Sequence, residues 1–126
     1  MPDLGTRGNV MGPQPIGRRV NAPAEMTAAA EALLQLMIAG KADKVAAVAR
    51  PECARDVTAF AAAVTESSCD GFEIIATARV GKHYYVKARL HAVNPLTVQF
   101  RLGLDEDRWL VWELMNLTGR RGAWTR

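Results

Sequence analysis

The 126-residue sequence predicts an α+β fold, with three N-terminal helices packed on the concave face of a curled four-stranded antiparallel meander. Three observations carry this. Between Phe72 and Thr118, apolar and polar residues alternate with period two in four successive stretches. The stretches are joined by short turn segments around Gly81-Lys82, Asn94-Pro95 and Asp105-Glu106-Asp107, which suit only antiparallel neighbours. Before Ser67 the apolar residues recur at helical spacing, punctuated by Gly40 and Pro51.

In order, Met1–Ala22 is an N-terminal arm rich in Gly, Pro and Arg, with the composition of a flexible segment; Ile16–Val20 is its one stretch with strand character. Pro23 suits the first turn of a helix over about 24–39, whose inward side is Met26, Ala29, Ala30, Leu33, Leu36 and Met37. A shorter helix over 42–50 follows, with Asp43 near its start. The third, over 52–66, carries Glu52 and Asp56 in its first turns and Val57, Phe60, Ala61 and Val64 inward.

The strands are expected at Phe72–Val80, His83–Ala92, Leu96–Leu104 and Trp109–Thr118, with the even-numbered residues facing the helices in all four. That shared parity sets the pairing. A two-residue turn at Gly81-Lys82 would oppose Ala78 to Tyr85 and mix the faces, so a three-residue turn over Val80–Lys82 is expected, pairing Ala78 with Tyr84 and Ile74 with Ala88.

One domain over 23–118 accounts for the chain between the arm and a basic tail, 119–126. With 49% hydrophobic and 23% charged residues it is ordinary globular material. No apolar run approaches the ~20 residues of a membrane span, and Met1–Ala22 lacks the apolar core of a secretory signal, so the cytoplasm is the expected compartment. Cys53 and Cys69 have no ligand neighbours at metal spacing and read as two reduced thiols; a disulfide would need the third helix to fold back past Cys69.

A long helix closing in Ile38-Ala39-Gly40-Lys41-Ala42-Asp43, the short Val45-Ala46-Ala47-Val48, and a last hairpin reading Leu104-Asp105-Glu106-Asp107-Arg108-Trp109-Leu110-Val111 resemble the nuclear transport factor 2-like superfamily. These cone-shaped α+β proteins include ketosteroid isomerase and the SnoaL-like cyclases. The resemblance covers about Pro23 to Thr118 and implies a cavity between sheet and long helix, with pairing through the outer sheet face. It departs in one place: members commonly carry a β-hairpin between the second and third helices, and no strand is legible there.

The inward set holds no carboxylate and no histidine, so a proton-abstracting enzyme has no evident base there. No catalytic residue, metal or cofactor is therefore expected, and the favoured function is a non-catalytic small-ligand-binding or assembly module. An apolar ligand in the cone would meet Tyr84, Trp112, Phe100 and Phe72 from the sheet, and Leu33 and Met37 from the long helix. The alternative is a small isomerase, cyclase or hydrolase using the Tyr84 hydroxyl. His83 and His91 lie eight residues and about 26 Å apart on one strand, too far to share a metal.

Tyr85, Trp109, Val111, Met115 and Leu117 fall on the odd-numbered, outer face with Lys87, Arg89, Arg101 and Glu113 among them, and are the expected homodimer interface. Basicity is confined to the tails: the arm carries net +2 and the end net +3, around a body of −2. The Arg-rich tails are what an acidic partner or nucleic acid would use, but no aromatic-interleaved basic face accompanies them, and nucleic acid is not the expected partner.

Overall fold

The computed structural model describes residues 23–119; the arm expected to be flexible and residues 120–126 of the tail lie outside the described residues. Three helices, α1 (Ala24–Ile38), α2 (Ala42–Ala47) and α3 (Ala54–Glu66), precede four strands, β1 (Gly71–Val80), β2 (His83–His91), β3 (Leu96–Asp105) and β4 (Arg108–Asn116), which form one antiparallel meander in sequence order. The α+β class is as the alternation predicted.

The helices stop where their local chemistry stops them. At the end of α1, Gly40 takes φ +74°, Lys41 N–H reaches Leu36 C=O and Gly40 N–H reaches Met37 C=O, the paired bonds of a Schellman cap. The end of α3 repeats this pattern, with Ser68 at φ +56° and Cys69 N–H bonded to Val64 C=O. The second helix is shorter than its apolar spacing predicts, because the chain leaves it at Val48 to bridge β4 at Ala49: Val111 N–H donates to Val48 C=O and Arg50 N–H to Val111 C=O. This single parallel bridge, Ala49 with Val111, occupies the place where the superfamily resemblance implies a hairpin. Pro51 then opens a 3₁₀ turn, Pro51–Cys53, that leads into α3.

The helices bury Met26, Leu33, Leu34 and Met37 of α1, Val45 of α2, and Val57, Phe60 and Val64 of α3 against Val86, Ala88, Leu90, Val98, Phe100 and Leu102 of the sheet. In β2, and in β3 as far as Leu102, the even-numbered residues do face this core. In the outer strands the common parity fails. The β1–β2 turn is the two-residue one, with Val80 opposite His83 and Gly81 at φ +62°, and Ala78 does oppose Tyr85. The expected Ile74–Ala88 pair is restored by a register shift at Ile75. Ala76 and Ala78 therefore share the outer face with Lys87 and Tyr85, instead of lining the core.

The β3–β4 hairpin resolves the same conflict in the same way. Its turn has Asp105 opposite Arg108, with Glu106 at φ +53° and Asp107 at φ +68°. The register follows Leu104–Trp109 and Leu102–Val111, then shifts so that Arg101 meets Glu113 and Phe100 meets Leu114. The extra residue is Trp112. Val111 (1% exposed) and Trp109 consequently turn toward the helices, while Leu110 opposes Gly103 and Trp112 stands outward. Both free cysteines are buried.

Candidate functional site

Among the described residues, polar and aromatic side chains come together at the turn end of the sheet and on its outer face. The first is a cleft of about 450 Å³ at the turn end of the sheet, where the β1–β2 and β3–β4 turns approach the start of α1. Tyr84, Trp109 and Leu104 supply its apolar wall, and Glu25, Arg79, Lys82 and Asp107 also line it. The rings of Tyr84 and Trp109 meet edge to face, their centroids 6.2 Å apart.

The residues expected to hold a ligand are not gathered into one cavity. Tyr84 lines the cleft just described. Leu33 instead borders a separate cavity of about 110 Å³ beneath α1, shared with Ala29, Leu36, Leu102, Trp109 and Val111. Phe100 and Met37 are core side chains at 1% exposure, and Phe72 packs half-buried against the same core. Trp112 is on the opposite side of the sheet, placed there by the β4 bulge. The inner space that the resemblance implies is thus largely filled by side chains, with small Ala29 and Ala32 leaving the modest gap under α1.

The second place is the outer face, and it was not legible as a unit. His83 at the start of β2 lies against Trp112, centroids 4.7 Å apart and planes tilted by 35°. On Trp112 the Arg50 guanidinium sits 4.2 Å from the ring centroid, a cation–π contact. Arg50 is held there by Asp105 and by Glu52 at 3.0 Å. These carboxylates raise the Arg50 pKa, and the hydrogen bond from Arg50 to Glu52 lowers that of Glu52. Arg101 approaches His83 Nδ1 at 3.2 Å and stands 3.4 Å from Glu113, which also accepts from Tyr85 Oη at 3.4 Å.

Gly103 makes the arrangement sterically feasible. A Cβ at this position would lie 2.3 Å from His83 Cδ2 and 2.8 Å from Trp112 Nε1, so the two rings rest on bare backbone. A lone glycine inside an alternating strand is the signal that would have pointed to this site. Three buried donors, Arg50 Nε, Arg101 Nε and Trp112 Nε1, find no hydrogen-bond acceptor among the described residues, and all belong to this cluster. The contact of Arg101 Nε with Glu113 has ion-pair distance without hydrogen-bond alignment.

Because an arginine can only donate, His83 Nδ1 must be the acceptor and the ring proton sits on Nε2. Burial and the neighbouring Arg101 charge hold the His83 pKa below its ordinary value, so the ring is neutral near pH 7. No hydroxyl or thiol is hydrogen-bonded to His83 among the described residues. Cys53 donates its S–H to Val111 C=O at 3.2 Å; burial pushes its pKa and that of Cys69 upward, keeping both thiols protonated.

Of the residues expected at a homodimer interface, Tyr85 and Met115 do face outward, Met115 at 41% exposure. Trp109 and Val111 do not, for the bulge inverts their strand, and Leu117 is buried (5%) where its N–H bonds Thr97 C=O. Lys87, expected among the surface charges, is 8% exposed. Among the described residues no helix is long and apolar enough to cross a membrane, and no group of three metal-ligating side chains is present. No protein-family model, no curated protein and no solved structure matches the chain.

Proposed function

We propose that the chain is a non-catalytic assembly module of the nuclear transport factor 2-like type, and that two copies pair through the outer face of the sheet. One observation carries this reading. The face away from the helices gathers Trp112, His83, Tyr85 and Met115 with Arg50 and Arg101, and leaves three buried donors without acceptors. Trp, Tyr, Met and Arg are the residue types enriched where proteins associate. Light scattering tests it: the unmodified chain should have twice its 13.7 kDa mass, and Met115→Glu should weaken association by about tenfold or more. A 13.7 kDa particle at all concentrations ends the proposal.

The cleft at the turn end favours a second reading, a small ligand held against Tyr84 and Trp109. A binding module that uses the Tyr84 ring for packing keeps its affinity in Tyr84→Phe to within about 1 kcal/mol. An enzyme that uses the hydroxyl as an oxyanion donor loses turnover by about a hundredfold. Calorimetric titration of any ligand found by thermal-shift screening, alongside turnover of that ligand, separates the two.

A further inference from the structure

The geometry points to His83 as a proton-operated latch of the outer face: neutral, it locks Arg101 and Trp112 into the pairing surface, and protonated, it releases them. This inference rests on the reading that the outer face pairs. The latch follows from what surrounds the ring. On β3, Arg101 donates to Nδ1 at 3.2 Å. On β4, Trp112 covers the ring, with Arg50 on the indole's cation–π contact. Below, Gly103 leaves no side chain between ring and strand.

The ionisable groups around it are Arg101, Arg50, Tyr85, Glu113, Asp105 and Glu52. The acids are already engaged: Glu113 with Arg101 and Tyr85, Asp105 and Glu52 with Arg50. No carboxylate lies within ion-pair distance of His83 among the described residues, whereas His91, on the same strand, has Glu73 at 3.8 Å. A solvent proton arriving at Nδ1 takes the lone pair that accepts from Arg101, and sets two donors and two positive charges against each other. Among the described residues only the Trp112 ring face, through a cation–π contact with the imidazolium, compensates in part.

The sign follows. The folded chain binds this proton less readily than the unfolded one, so the arrangement is fully favoured above the ordinary histidine value of about 6.5. It weakens as pH falls from there toward the lower folded-state value. At the level of assembly, acid should favour monomer.

The test uses the full ¹⁵N-labelled chain between pH 8 and pH 5, read by NMR and by light scattering. The Trp112 indole N–H signal should shift together with the His83 ring, at a midpoint below the ordinary histidine value of about 6.5. In His83→Gln, which retains an acceptor and does not titrate, the indole signal should stay still. Arg101→Met removes the opposing donor and charge and should raise the His83 midpoint, which keeps the test decisive if His83→Gln fails to fold. In the unmodified chain the dimer dissociation constant should rise about tenfold or more across the range, and in His83→Gln it should not. A Trp112 signal that ignores the His83 titration, or a His83 midpoint at or above about 6.5, overturns the latch. A monomer at every pH, with the Trp112 shift intact, instead overturns the pairing on which its consequence depends.

Discussion

On its inward face the sheet presents Val86, Ala88, Leu90 and Val98, all fully buried, with Phe100 and Leu102 almost so; outward it presents His83, Tyr85, Arg101, Trp112 and Glu113, linked ring to cation and cation to acid. The inward side is held by burial, which is non-directional and worth about 25 cal/mol per Å² of apolar surface removed from water. The outward side is held by contacts whose direction matters, several of them half-exposed, so each is worth little as stability. One face therefore tolerates change of shape within a volume, and the other tolerates change that spares its geometry.

The largest expected effect breaks the comparison where it is sharpest. Val111 and Met115 have the same odd parity on one strand, yet the bulge at Trp112 puts Val111 in the core and leaves Met115 outside. Val111→Glu buries a carboxylate and should cost on the order of 4 kcal/mol or more in chemical denaturation, enough to unfold much of the chain. Met115→Glu should change the stability of the dilute chain by no more than about 0.5 kcal/mol. Equal effects at the two positions would contradict the inversion.

Next in size is Gly103→Ala. The added Cβ has no room beneath His83 and Trp112, and relieving the clash should cost about 1–3 kcal/mol while separating the two rings. Their separation is read from the Trp112 indole signal. An unchanged indole signal would show that the rings do not rest on that backbone.

The smallest effect sharpens a contrast between helix ends. Gly40 and Ser68 hold equivalent left-handed positions after α1 and α3, but only Gly40 does so without a Cβ penalty. Ser68→Gly should therefore raise stability by about 0.5–1 kcal/mol, seen as a rise in Tm.

Element order, the ends of the first and third helices and the inward faces of β2 and β3 were legible because each rests on local pattern, with Gly40 as a stop and strict alternation in the central strands; the end of the second helix was not, since it stops at Ala47, before Pro51. The outer strands were not, because two local rules conflict there. A two-residue turn pairs odd with even positions, and the apolar pattern of the far strand ends demands even with even. A longer turn resolves this on paper. The protein keeps both tight turns and inserts one residue in each edge strand, at Ile75 and at Trp112. The sequence marks both places by loss of alternation, in Ile74-Ile75 and in Trp109-Leu110-Val111-Trp112, without saying which residue is extra. The outer cluster was hidden for the same reason, since Trp112 joins His83 only after the bulge, and Arg50 reaches them from a segment far away in sequence.

The most direct test of the outer face as the pairing surface is an isotope-filtered NMR experiment on a mixture of labelled and unlabelled chains, which detects only contacts between copies. Pairing through the outer face predicts intermolecular contacts from the Met115 methyl and the Tyr85 and Trp112 rings, and none from the Val111 methyls. Intermolecular contacts from Val111 or Leu33 without any from Met115, or no intermolecular contacts at all, would contradict it.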